Sequence, residues 1–164
     1  MTMFGSTVAT PFGTMSMIGT QECVHVAAFG DDLDLIRDRL APSLRATPLR
    51  RGDTAAAAAL RDYFAGDVSA LSRVEVSQPG GAFHTRVWAE MRAVAPGTTV
   101  SYSDLAARAG APRAARAAAS ACARNSVCLF VPCHRVIRND GSLGGYYYGL
   151  DTKRRLLEHE RGGH

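Results

Sequence analysis

Residues 101–125 read SYSDLAARAGAPRAARAAASACARN, and this stretch decides the fold of the half that contains it. Ser103 and Asp104 open a helix with Leu105 and Ala106 on its inner side and Gly110 at its end. Pro112 sits where a first helical turn tolerates proline, so a second helix begins there and runs to about Arg124. Helix, glycine-containing turn, helix is the helix-turn-helix pattern. Eight of the thirteen residues from Ala111 to Ala123 are alanine. Alanine is the best helix former, which by itself accounts for the composition. Geometry supplies a second reading. A helix with almost no side-chain bulk, bearing Arg113, Arg116 and Arg124, is slender enough for a DNA minor groove about 6 Å wide.

Downstream, Val127–Val131 is a continuous apolar run that should be buried, and it delivers Pro132-Cys133-His134-Arg135-Val136. A thiol attacks only as thiolate, so it needs a base or a positive field beside it. His134 is adjacent in sequence, although adjacency alone makes no contact. A single buried cysteine is more often an inert small hydrophobe, and Cys122 and Cys128 are read that way on their own residues. Upstream, Phe83, Val87, Trp88, Met91 and Val94 give a helix over 83–94 with one buried face, stopped by Pro96-Gly97. Ser77-Gln78-Pro79-Gly80-Gly81 is the clearest linker.

Before the linker, Thr10-Pro11-Phe12-Gly13 forms a turn between two β-prone runs within Thr7–Ile18, and Glu22–Phe29 alternates as a further strand. The Leu33, Ile36, Leu40 spacing predicts a helix over 31–40. Thr54 caps a second helix, Ala55–Phe64, ended by Gly66, and Val74–Val76 is a brief strand. The fold class is mixed α/β (α+β): a small α/β N-terminal domain, residues 1–78, and a mostly helical C-terminal domain, residues 79–164, with a winged-helix-like helix-turn-helix.

The 164 residues are 46% hydrophobic and 21% charged, a globular balance that excludes a disordered or collagen-like chain. No apolar stretch is long enough to span a membrane, and the N-terminus shows no secretory pattern, so a cytoplasmic protein is expected. Net charge is +4, divided into −2 over residues 1–82 and +6 over residues 83–164. A basic half of this kind suits a polyanion. Of nineteen basic residues only Lys153 is lysine, a bias assigned to genomic base composition. Cys23, Cys122, Cys128 and Cys133 show no zinc-ligand spacing, and disulfides are not expected in this compartment. Neither metal nor cofactor is expected.

Pro132-Cys133-His134-Arg135-Val136 resembles the active-site signature of the O6-alkylguanine-DNA alkyltransferases, the methylated-DNA–protein-cysteine methyltransferases. Ser101-Tyr102, Ala114-Ala115-Arg116-Ala117, Asn125, Gly145-Tyr146 and Leu156-Leu157-Glu158-His159-Glu160 follow in that family's order and spacing. The likeness is strong from about Phe83 to Glu160 and weak over the N-terminal domain.

The resemblance implies direct-reversal DNA repair: one irreversible transfer of the alkyl group from O6-alkylguanine, and from O4-alkylthymine, to Cys133. His134 is then the base, Glu160 its orienting acid, and Tyr102 the residue that rotates the base and donates to the leaving guanine. Arg116 is the finger that replaces the extruded nucleotide, with Ser103, Ala115 and Ala117 also on the DNA side, and Asn125 is the hinge to the active-site strand. Cys122, Val136, Tyr146 and Tyr147 line the alkyl pocket. The partner implied is double-stranded DNA carrying alkylated guanine, bound through the minor groove by a monomer, with cooperative packing along DNA left open.

Two departures bear on the pocket: Tyr147 and Tyr148 stand where many relatives have small residues, and Cys128 where several have proline. If the rings crowd the pocket, large adducts such as benzyl react poorly. Zinc-binding relatives use N-terminal Cys and His positions that are not found here. The competing reading is a non-catalytic alkyltransferase-like protein that only binds the lesion. Such relatives replace the reactive cysteine, commonly with tryptophan, whereas Cys133 is present. A regulator using the helix-turn-helix is a third, disfavoured because 164 residues leave no room for the fused modules of such relatives.

Overall fold

The computed structural model describes residues 1–162, which fall into two compact units. Of the described residues, the first comprises Met1–Pro79 and Ser126–Phe130, the second Gly80–Asn125 and residues 131–162. A single cut between residues 78 and 79 therefore leaves Ser126–Phe130 apart from the unit in which it packs. Among the described residues no helix is long and apolar enough to cross a membrane.

The first unit is built on five strands: β1 (Met3–Thr10), β2 (Gly13–Gly19), β3 (Cys23–Phe29), β4 (Leu49–Arg51) and β5 (Glu75–Val76), ordered β4-β1-β2-β3-β5. The central three are antiparallel, and the short edge strands pair parallel to β1 and β3. The β1–β2 turn closes at Thr10↔Gly13, where the Thr10 hydroxyl accepts from the Phe12 N–H at 3.1 Å. Gly19 lies at a register shift between β2 and β3, and a Cβ there would collide with the Cys23 carbonyl oxygen, so no side chain fits.

Parallel edges need crossovers, and α1 (Leu33–Arg37) and α2 (Ala55–Phe64) lie in them. Helix α1 is shorter than the expected 31–40. It starts at Asp32, whose carboxylate accepts from Leu35 N–H at 3.1 Å, and gives way after Arg37 to turns closing on Ile36 and Arg37. Helix α2 has the expected bounds, with the Thr54 hydroxyl accepting from Ala57 N–H at 3.2 Å and Gly66 at φ +119° just past its end. Leu60 and Tyr63 on α2 are fully buried. The run Ser126–Phe130 joins this unit through one residue of β3: Ala27 N–H donates to Ser126 O at 3.0 Å and Ala27 O accepts from Cys128 N–H at 2.9 Å.

The second unit holds α3 (Ala82–Arg92), β6 (Val100–Ser101), α4 (Tyr102–Arg108), α5 (Ala115–Ala123), β7 (Val136–Ile137) and α6 (Leu150–Gly162). Strands β6 and β7 form a parallel pair. Helix α3 buries Val87, Trp88 and Met91, and the Trp88 indole N–H donates to Ala121 O at 2.9 Å, tying α3 to α5. Helix α4 begins earlier than expected: Ser101, not Ser103, is its cap, accepting from Asp104 N–H at 3.1 Å. Helix α5 begins later, because Ala111–Ala114 closes as a separate turn through Ala114 N–H to Ala111 O at 2.9 Å. Pro112 therefore stands in the turn between the two helices rather than inside α5.

Candidate active site

Two residues after the chain re-enters the second unit at Val131, Cys133–Arg135 forms a single 3-10 turn between Pro132 and β7. That tight turn separates the three side chains. Cys133 retains some solvent exposure, while His134 and Arg135 are buried. Both meet Glu160, which α6 delivers. Lys153, Leu156, Leu157 and Glu160 are the buried residues of α6, the i, i+3, i+4, i+7 stripe of one helix face.

The Glu160 carboxylate is fully engaged. His134 Nε2 lies 2.8 Å from Oε2, Arg135 Nη2 donates to Oε2 at 2.8 Å, and Arg135 Nε donates to Oε1 at 2.9 Å. The remaining Arg135 amine, Nη1, donates to Val94 O at 2.7 Å. Burial pushes the Glu160 acid up, but the charges and hydrogen bonds of His134 and Arg135 outweigh it and hold the carboxyl well below the usual range. For His134 the balance is reversed: burial pushes the imidazole below its ordinary value despite the pull of Glu160.

A neutral imidazole facing an ionised carboxylate must carry its proton on Nε2, since a carboxylate only accepts. The lone pair is then on Nδ1. That atom is buried and has no hydrogen-bond partner among the described residues. An acceptor nitrogen, fixed in tautomer by a carboxylate on the ring's far side, is the arrangement of a general base.

Cys133 is held as a thiol. Burial pushes it up, while a hydrogen bond from the Asn125 side chain and the charge of Lys153 pull it down without cancelling burial. Asn125 Nδ2 also donates to Val131 O at 2.8 Å, so this side chain just past the end of α5 touches both the run before Cys133 and Cys133 itself. Cys122 is pushed up to about 12 by burial and by the neighbouring Cys133. Tyr102 is raised by burial and by both thiols. Its ring and hydroxyl pass Gly144 so closely that a Cβ there would stand 3.4 Å from each, and Gly144 has φ +73°, which a side chain rarely adopts.

Thus Cys133, His134, Glu160, Asn125, Cys122 and Tyr102 are brought into one neighbourhood. Val136 is buried on β7 beside it. Ser103 pairs instead with Asn139, whose side-chain amide donates to the Ser103 hydroxyl at 2.7 Å. Ala115, Arg116 and Ala117 form the first turn of α5, with Arg116 exposed. Tyr146, Tyr147 and Tyr148 pack edge to face, at centroid distances of 5.8 Å between Tyr146 and Tyr148 and 5.0 Å between Tyr147 and Tyr148. The Tyr147 residue is 83% exposed, so its ring faces largely into solvent.

Sequence reasoning overlooked two residues. Arg135 has no role in the sequence reading, although a buried arginine requires a buried counter-charge. Lys153 has none either, its rarity being assigned to base composition.

A partly exposed thiol next in sequence to a buried imidazole–carboxylate pair, on a chain with a helix-turn-helix, defines a class that joins a candidate cysteine site to a fold common among nucleic-acid-binding proteins. Comparison with known proteins narrows that class. The family 6-O-methylguanine DNA methyltransferase, DNA binding domain, matches residues 82–162. A methylated-DNA–protein-cysteine methyltransferase of Mycolicibacterium paratuberculosis is 35% identical over 156 residues, covering 94% of this chain and 90% of that protein. One from Salmonella typhimurium is 43% identical over 101 residues, 62% of this chain, and this chain spans 59% of its length. The crystal structure of Mycobacterium tuberculosis OGT in complex with DNA matches with TM-score 0.78 at 28% identity, covering 98% of this chain and 94% of that one. The chain belongs to the methylated-DNA–protein-cysteine methyltransferase family.

Proposed function

We propose that this protein restores O6-alkylated guanine in duplex DNA by moving the alkyl group to Cys133 in one irreversible turnover. The observation that carries the reading is the buried, unpartnered Nδ1 of His134, with Nε2 tied to the ionised Glu160. A neutral thiol beside a neutral, oriented base is primed for proton transfer at the moment of attack. His134 Nδ1 takes the Cys133 proton through a bridging water. The sulfur displaces in line at the alkyl carbon, the C–O bond breaks, and its electron pair stays with guanine. Tyr102 supplies a proton to the guanine ring, so the leaving group departs neutral; the tyrosine recovers a proton from solvent, to which His134 releases the one it took from Cys133. The product thioether is stable, which ends the reaction, and the balance needs no further group.

The alkyl group on O6 lies inside the duplex, so the nucleotide must be turned out, at about a few kcal/mol of lost stacking and pairing. The helix pair α4–α5 is the element for this, entering the minor groove with the slim face of α5 and Arg116 filling the vacated place. Asn125 links that helix to the nucleophile. O4-alkylthymine presents the same type of carbon and is a second substrate of this reading.

Intact-mass spectrometry after mixing the protein with a duplex carrying one O6-methylguanine tests it. The expected result is a gain of one CH2 unit, mapped to Cys133 and absent in Cys133→Ser. Lesion binding without an adduct would overturn the transfer and leave a recognition protein.

A further inference from the structure

Eighteen of the nineteen basic residues are arginine, and the single exception, Lys153, has no solvent exposure. Its ammonium donates to three backbone carbonyls: Val136 O at 2.7 Å, Leu143 O at 2.5 Å and Gly145 O at 3.2 Å. Three donors meet three acceptors, and none of them is a carboxylate. The planar fork of arginine cannot point at three carbonyls converging on one atom. A lysine is therefore required here whatever the composition of the rest of the chain. The acceptors come from two segments. Val136 directly follows the Cys133–Arg135 turn, and Leu143–Gly145 leads into Tyr146–Tyr148. Helix α6 thus works at both of its ends, through Glu160 on His134 and through Lys153 on the backbone around the nucleophile.

A buried ammonium with only dipoles for partners carries a charge that nothing ionised cancels, an expensive arrangement for a merely structural link. We propose that Lys153 is a positioning residue for the transfer, fastening Leu143–Gly145 to the strand after the nucleophile turn and holding a fixed positive charge toward the sulfur of Cys133 as it becomes anionic. This rests on Cys133 being the nucleophile. The Lys153 charge pulls both Cys133 and Cys122 downward against burial. The other titratable or charged groups around them are Tyr102 on α4, Arg138 after β7, and His134, Arg135 and Glu160 behind the turn.

Iodoacetamide capture of Cys133 against pH, read by peptide mass, needs no DNA and measures the thiol directly. In Lys153→Met the pH midpoint of capture is expected to rise by about one unit; Lys153→Arg, which keeps a charge but cannot meet all three carbonyls, is expected to fall between Lys153→Met and the wild type. A purely structural lysine would lower Tm and leave the midpoint unmoved, and that result overturns the proposal. If the variants fail to fold, the wild type decides. By NMR, the Lys153 side-chain titration should move to lower pH once carboxamidomethylation has removed the Cys133 thiol, and an unmoved titration is fatal. Running O6-methylguanine duplex alongside separates the two ideas. No adduct on wild-type protein defeats the repair reading, whereas the capture profile still reports whether Lys153 and the thiol are coupled.

Discussion

The two units of this protein use charge in opposite ways. In the first, Arg61 meets Asp53 at 2.9 Å and Arg73 meets Asp67 at 2.7 Å, and all four side chains are about half exposed or more. In the second, Glu160 is buried and shared by His134 and Arg135, while Arg116 stands exposed with no ion pair to any described residue. Exposed pairs gain little, because water screens them and two long side chains must be ordered. A buried carboxylate is tolerable only when every lone pair is met. The contrast shows where this chain has accepted electrostatic penalties, and those places coincide with the thiol and with the helix-turn-helix.

The sharpest way to break that contrast is to neutralise one carboxylate in each unit. Glu160→Gln leaves Arg135 buried without its counter-charge and lets His134 lose its tautomer. A stability loss of about 3–5 kcal/mol is expected in urea titration, with alkyl transfer slowed about 10²–10⁴-fold in single-turnover assays. Asp53→Asn is expected to lower stability by less than about 1 kcal/mol and to leave transfer untouched. Equal stability losses in the two variants would erase the distinction between the units.

What could be read in advance follows the same division. That His134 and Glu160 meet was legible only through the resemblance, which set them side by side, and the structure brings them to 2.8 Å; Cys133 stood out as a thiol next to a histidine after an apolar run. Arg135 and Lys153 were not legible, because what they bind is set by tertiary structure: Val94 O lies forty-one residues before Arg135, and the Lys153 acceptors are ten and seventeen residues away in two of three cases. Backbone carbonyls leave no trace in side-chain patterns. The run Val127–Val131 announced burial, but not that Ser126–Phe130 would pair with Ala27 of the first unit. Helix α2 was readable to the residue, having Thr54 at one end and Gly66 at the other. At α5, Pro112 was compatible with either a helix start or a turn, and only the Ala114–Ala111 hydrogen bond selects the turn.

The exposed arginines sharpen the comparison at a smaller scale. Arg116→Ala should weaken repair of a paired O6-methylguanine by about 10–100-fold, the equivalent of a small part of the unstacking and unpairing energy. Placing the lesion opposite an abasic site removes most of that energy, so the variant should recover there. Arg61→Ala, whose wild-type side chain already has Asp53 as its partner, should show neither the loss nor the recovery. A loss for Arg116→Ala that persists opposite the abasic site would make this residue a general DNA contact rather than a finger in the stack.

The smallest effect is carried by pH, and it bears most directly on the base. His134 is held below its ordinary value by burial, so on acidification the unfolded chain takes up its proton first, from about pH 6.5 downward. Stability must fall across that window. Glu160 is also depressed; its contribution is complete above the unfolded carboxylate value of about 4.3 and is lost as pH falls further through the folded one. Acid destabilisation should therefore arrive in two stages, and His134→Gln should remove the first while leaving the second weakened. Urea midpoints measured from pH 7.5 to 2 resolve the stages. Stability that instead rises as pH falls through about 6.5 would mean that the native imidazole is already protonated against Glu160. Nδ1 would then be a donor, and the proton of Cys133 would have to leave by another route.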